Sequence, residues 1–234
     1  MKFFITGANR GLGLSLTKIS LLNGHTVFAG VRGPEEAKIK ELLELKETYN
    51  KNLEVIDIDV QKEDSVLAAL GQLTEKTDHI DVLINNAAIL NERGKSIEEL
   101  DIEACTLAFD INILGPIRVV KHFLPLLKRG ENQSILNISS EAGSLTNSYS
   151  GDYPYGISKA ALNMLSEKLN CYLHDQDIQV LSIHPGWMKT DMGGENALLY
   201  PMEPGKGIVE IAERKKEITS QYVFVDYNGD PMKI

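Results

Sequence analysis

The sequence predicts an α/β fold, a doubly wound parallel sheet of about seven strands with helices on both faces. Three observations predict it. Short apolar runs alternate with longer segments whose apolar residues recur at helical spacing. Runs such as Val82-Leu83-Ile84 lack the every-other-residue pattern of a half-exposed strand, which suits strands covered on both sides. The chain has 234 residues, 43% hydrophobic and 24% charged, which fits one domain over residues 1–234 and excludes bulk disorder.

The elements follow in order. Phe3-Phe4-Ile5 is a strand, and Leu12, Leu16, Ile19, Leu21 and Leu22 then mark a helix that Asn23-Gly24 stops. His25 to Val31 is a second strand, Glu35 to Tyr49 a helix, and Leu53 to Ile58 a third strand. Glu63 to Lys76 is helical, and Ile80 to Ile84 is a fourth strand. Ser96 to Lys128 holds one or two long helices, interrupted near Gly115-Pro116. Ser134 to Ile138 is a fifth strand and Pro154 to His174 a long helix. Ala160, Ala161, Met164, Leu165 and Leu169 give that helix an apolar face, expected to lie on the sheet. Ile178 to Ile183 is a sixth strand, Pro204 to Lys216 a helix, and Tyr222 to Val225 a last strand. Right-handed crossovers put every strand's C-terminal end on one edge, where such sheets bind ligands.

Charge and composition narrow the partners. Lys plus Arg is 24 and Asp plus Glu is 33, a net −9, which repels nucleic-acid backbones and anionic membranes. No apolar run approaches the ~18 residues of a membrane span. The apolar start of the chain ends at Thr6-Gly7, too soon for a secretory signal, so a cytoplasmic location is expected. The two cysteines form no C-x-x-C, and the five histidines form no H-E-x-x-H, so no metal site is expected.

Thr6-Gly7-Ala8-Asn9-Arg10-Gly11-Leu12-Gly13 joins the first strand to the first helix. Gly7 permits a tight turn, Gly11 lets the backbone approach a pyrophosphate, and Gly13 lets the helix pack close to the strand. The helix N-terminus adds free N–H groups and partial positive charge. A carboxylate at the end of the second strand would select NAD, but Val31-Arg32 stands there, with Arg10 a second nearby cation. Two guanidiniums suit a 2′-phosphate, so NADP(H) is the expected cofactor.

Tyr155-Gly156-Ile157-Ser158-Lys159 sets a phenol and an ammonium on one helix face, four residues apart. A fixed cation stabilises phenolate and would tune the tyrosine towards neutrality for acid–base work.

Taken together these motifs resemble the short-chain dehydrogenase/reductase family. The resemblance rests on Thr6-Gly7-x-x-x-Gly11-x-Gly13, Asn85-Asn86-Ala87-Ala88, Asn112, Asn137-Ile138-Ser139-Ser140, Tyr155-x-x-x-Lys159 and Pro185-Gly186, in the family's order. It covers essentially the whole chain and implies a Rossmann-type fold. His184 to Gly194 is most similar to the C-factor/sniffer branch, the carbonyl-reductase-like members. The resemblance implies that Tyr155 is the acid–base residue and that Lys159 holds the nicotinamide ribose and lowers the tyrosine's pKa. It implies that a serine after the fifth strand positions the substrate oxygen, and that Asn112 holds a water in a proton relay. Successive strand residues face opposite sides, and the family's alignment favours Ser140 over Ser139. Gly7, Asn9, Arg10, Gly11, Leu12, Gly13 and Arg32 would hold the phosphates. Asp59 and Val60 would contact adenine, Asn86 and Ala87 the adenine-ribose side. Pro185, Gly186, Met188 and Thr190 would hold the nicotinamide and pyrophosphate end. Ala88 stands where the family usually has glycine, and the loop between Ser140 and Tyr155 is slightly longer than usual.

The activity implied is hydride transfer between NADP(H) and a small carbonyl or alcohol substrate, under an apolar substrate loop over 191–207. The alternative is an NADP(H)-binding signalling or sensor protein of the C-factor type. Relatives pair through helices equivalent to Ser96–Lys128 and Pro154–His174, which allows a homodimer or homotetramer.

Overall fold

β1 (Lys2–Thr6) turns Phe3 and Ile5 into one face of the sheet and Phe4 into the other, as strand geometry dictates. The computed structural model describes residues 1–234. β1, β2 (Thr26–Val31), β3 (Leu53–Asp57), β4 (Val82–Asn85), β5 (Ser134–Ile138), β6 (Gln179–His184) and β7 (Phe224–Asp226) form one sheet. Its seven strands run β3-β2-β1-β4-β5-β6-β7, and every neighbouring pair is parallel. The helices are α1 (Gly11–Leu22), α2 (Glu36–Thr48), α3 (Glu63–Thr74), α4 (Ile102–Phe109), α5 (Gly115–Leu127), α6 (Tyr153–Leu173) and α7 (Met202–Ala212). The expected doubly wound sheet is therefore present.

Each face has its own core. Leu16, Ile19, Leu42, Ile208 and Ile211 from α1, α2 and α7 cover Phe3 and Ile5. Val66, Leu73, Val119 and Phe123 from α3 and α5 cover Phe4, with the Phe4 and Phe123 rings 4.6 Å apart. Each such side chain contributes roughly 1.5–3 kcal/mol when fully buried. The chain leaves β1 towards β2 on one side and returns as β4 on the other, so a crevice opens between their C-terminal ends.

The expected interruption at Gly115-Pro116 lies earlier. α4 passes into one π turn over Asp110–Leu114, and Gly115-Pro116 begin α5. Proline's missing N–H does no harm in a first turn, so it does not break the helix there. Gly115 instead provides room, since a Cβ on it would lie 3.0 Å from a Val60 methyl.

The face of α6 expected on the sheet is turned outward. Ala161 is exposed and Met164 is 57% exposed, while Ala160, Leu165 and Leu169 are half-buried. Against β5 and β6 lie Lys159, Asn163 and Ser166, and against the π turn lies Ser158, all buried. Polar side chains can fill this layer because they hydrogen bond: Asn137 Nδ2 donates to Ser166 Oγ at 2.8 Å. The segment 191–207 is only partly a loop, because α7 starts at Met202. That helix ends at Ala212 rather than Lys216, and Arg214 just beyond it has φ +56°. No helix is long and apolar enough to cross a membrane.

Candidate active site

The C-terminal ends of β1, β2, β4, β5 and β6 bring the expected site residues to one edge. Gly7 and Gly11 have φ of +66° and +53°, conformations that side chains rarely adopt. Gly13 is required by space, since a Cβ there would sit 2.1 Å from the Gly7 carbonyl oxygen. Asn86 Nδ2 donates to the carbonyls of Thr6 and Gly7 at 2.9 and 3.1 Å. The amides of Asn86 and Ala87 both donate to Thr6 Oγ1. Asn86 thus braces the glycine turn with its side chain, a role that its sequence position does not distinguish from contact with the ligand. Ala88 has no left-handed φ, so its methyl costs no backbone strain.

No side chain caps α1, which leaves its first-turn amides facing the crevice for an anion. The glycine turn, the uncapped helix and the two arginines fit a phosphorylated dinucleotide. Arg10, at the N-cap, ion-pairs with Asp191, both largely exposed. Arg32 is exposed at the end of β2, and beside it the Gly33 amide donates to Asp57 Oδ1 at 3.0 Å. Asn9 Nδ2 ties the turn to the Lys38 carbonyl, and Leu12 is buried. Asp59 accepts the Gln61 amide at 3.1 Å, and the Val60 carbonyl accepts from Arg118 at 3.2 Å. The segment after β6 closes against the glycine turn. A Cβ on Gly11 would lie 3.3 Å from Thr190 Cγ2, and Met188 bridges to Leu199. Gly186, at φ +77°, follows buried Pro185.

Tyr155 is in the first turn of α6, started by Pro154. Lys159 is one turn on, its Nζ 5.4 Å from the Tyr155 ring centre. That nitrogen donates to the Ile138 carbonyl at 2.7 Å. Burial pushes the Lys159 amine down to about 7. Burial also pushes the Tyr155 phenol up to about 12, with the Ser140 hydroxyl bond pulling it back. The net shift of Tyr155 is therefore upward, not the lowering expected from Lys159: residue spacing does not reveal burial, and the lysine amine is itself pushed towards neutrality and bonded to the Ile138 carbonyl.

The two serines separate as strand alternation requires. Ser139 Oγ turns into the α6 layer and donates to Asn163 Oδ1 at 2.6 Å. Ser140 faces the Tyr155 phenol, and its Oγ accepts the Ala142 amide at 3.2 Å. Asn112, on the π turn, clasps Ile89, accepting from its amide and donating to its carbonyl, each at 2.9 Å. Asn112 Nδ2 also donates to Ser158 Oγ at 3.0 Å, and Ser158 Oγ donates to the Tyr155 carbonyl at 2.7 Å. Ser158, Asn163 and His184 are site residues to which the sequence assigns no role. His184 Nδ1 accepts the Glu141 amide at 3.1 Å, and burial pushes the imidazole pKa down. For Ser158 and His184 their place in the motif segments is the available signal, and Asn163 has none, since it is outside every motif. No group of three or more His, Cys, Asp or Glu side chains is placed to hold a metal ion.

Comparison with known proteins agrees with this geometry. The family model for short chain dehydrogenase matches residues 2–198. An uncharacterized oxidoreductase of Schizosaccharomyces pombe is 38% identical over 195 residues, 82% of this chain and 76% of that protein. The NADPH-bound carbonyl reductase from chicken fatty liver superposes with a TM-score of 0.89 at 29% identity, covering 100% of this chain and 98% of that one. The carbonyl reductase Sniffer of D. melanogaster gives 0.88 at 34% identity, over 100% and 99%.

Proposed function

The chain belongs to the short-chain dehydrogenase family, and from that premise we propose that it is an NADP(H)-dependent oxidoreductase interconverting a carbonyl and an alcohol. One observation carries the reading: a half-buried tyrosine, Tyr155, faces the Ser140 hydroxyl at the edge where the glycine turn lies. Bound NADPH supplies a hydride to the carbonyl carbon. The rest of the chemistry belongs to this chain's side chains. Tyr155, pushed up to about 12, is protonated at neutral pH, the form needed to give a proton to the substrate oxygen. Ser140 donates a hydrogen bond to that oxygen and fixes its place between the two hydroxyls. Lys159 supports the nicotinamide ribose and, when charged, favours loss of the Tyr155 proton in the oxidative direction. Asn112 anchors the π turn and, through Ser158, the first turn of α6.

Arg32 and Arg10 would hold the 2′-phosphate, and the turn Gly7–Gly13 the pyrophosphate. Asp59, Val60 and Ala87 would line the adenosine side, and Pro185 to Thr190 the nicotinamide side. Leu198, Tyr200 and Met202 are exposed in the segment beyond, and suit an apolar wall for the substrate. A cytoplasmic location and a homodimer or homotetramer formed over the exposed stripe Ile157, Ala161 and Met164 belong to the same proposal. The signalling or sensor alternative gains no support from this site, since a binding module has no need of a phenol poised beside Lys159.

The test is oxidation of NADPH by the purified protein with a panel of aldehydes, ketones and quinones. Cofactor-dependent turnover on at least one is expected. Tight NADPH binding with no turnover on any would favour the binding protein.

A further inference from the structure

We propose that Asn163 is a positioning residue for Ser140, acting through Ser139 and the turn that follows it. This rests on the oxidoreductase reading above. Asn163 is on α6 one turn beyond Lys159, and it is buried with Ser139 and Ser182. Its Oδ1 accepts two hydroxyl bonds, from Ser139 at 2.6 Å and from Ser182 on β6 at 2.5 Å. Its Nδ2 donates to the Gly143 carbonyl at 3.4 Å. One amide therefore joins the end of β5, the middle of β6 and the single-turn helix Glu141–Gly143.

The consequence falls on Ser140, which lies between these anchored points. On one side the Ser139 amide donates to the Ile183 carbonyl at 2.8 Å, and Lys159 Nζ holds the Ile138 carbonyl. On the other side His184 Nδ1 accepts the Glu141 amide. The turn is seated tightly, since a Cβ on Gly143 would lie 2.6 Å from the Lys159 carbonyl carbon. An apolar residue at 163 could fill the volume, but it could not direct two hydroxyls from two strands onto one point. Ser139 is held so that its neighbour can face the phenol. The paired serines thus divide the work: one anchors and the other meets the substrate.

The test compares wild type, Asn163→Ala, Asn163→Asp and Ser139→Ala in NADPH-dependent carbonyl reduction. Asn163→Ala and Ser139→Ala are expected to lower kcat about tenfold or more, with NADPH affinity within about twofold of wild type. The alkaline limb of the kcat profile should move up, because the Ser140 bond that pulls the phenol down is weakened. Asn163→Asp, whose carboxylate accepts both hydroxyls, should recover most of the loss. Unchanged kcat in both alanine variants overturns the inference. A loss shared equally by turnover, cofactor affinity and melting temperature, with the limb unmoved, overturns it too. If Asn163→Ala does not fold, Ser139→Ala alone decides. An inactive wild type, or an active Tyr155→Phe, overturns the oxidoreductase reading itself and this inference with it.

Discussion

The Lys159 side-chain nitrogen lies 5.4 Å from the Tyr155 ring centre and donates to the Ile138 carbonyl rather than to the phenol. Lysine and tyrosine share a helix face, yet the lysine serves as a brace on β5. Lys159 is buried and Tyr155 half-buried, and the loss of water around them favours the neutral form of each.

A pH dependence of stability follows. The native Lys159 pKa is about 7 against an ordinary 10.5, so between those values the unfolded chain binds more protons. Stability therefore rises with pH across that window, by at most ~1.4 kcal/mol per unit. Tyr155 has the opposite sign: it is at about 12 against 10, so the native state keeps the proton and stability falls above 10. Urea unfolding of wild type should gain stability from pH 7 to 10. Lys159→Met should flatten that gain, and an equal slope in both proteins would remove Lys159 as its source.

Gly13→Ala should damage fold and binding together. The added Cβ would be 2.1 Å from the Gly7 oxygen and 2.7 Å from Asn86 Nδ2, and the Gly7 backbone leaves little room to relax. Overpacking of this kind costs about 1–3 kcal/mol, which lowers the melting temperature by at least ~2 °C in a chain of this size. Calorimetry and NADPH titration check both effects. A variant with wild-type melting and affinity would show that the turn can open.

Arg32→Ala should weaken NADPH far more than NADH. Charge-assisted bonds to a phosphate contribute about 1.5–3 kcal/mol, so the preference should drop at least about tenfold. Fluorescence titration with both cofactors measures the ratio. An unchanged preference would shift the 2′-phosphate contact to another residue.

Asp191→Asn should tighten NADPH slightly. Asp191 holds Arg10 in an exposed ion pair, and releasing it frees the guanidinium for the phosphate. Exposed pairs contribute about 0–1 kcal/mol, so the gain should be at most about fivefold and should shrink with salt. Weaker binding in the variant would mean that the pair supports the cofactor cleft.

The parallel sheet, the edge where its strands end and the glycine turn were legible in the sequence because apolar runs and helical spacing are local signals. The π turn that carries Asn112 was not, since Asp110 to Leu114 reads as ordinary helix. The facing of α6 is not legible from hydrophobicity, because its exposed side carries Ala161 and Met164. Its buried side sets Leu162 and Leu173 among the polar Ser158, Lys159, Asn163 and Ser166, which are satisfied by hydrogen bonds to β5, β6 and their neighbours. The direction of the Tyr155 shift was equally hidden, because a four-residue spacing says that two groups are near and nothing about how dry their surroundings are.

Steady-state kinetics and NADPH titration of Tyr155→Phe test the central claim most directly. The phenylalanine keeps the ring and its packing and removes only the proton. Turnover should fall ~10²–10⁴-fold while the NADPH dissociation constant stays within about twofold of wild type. Turnover close to wild type in that variant would contradict a Tyr155 proton donor.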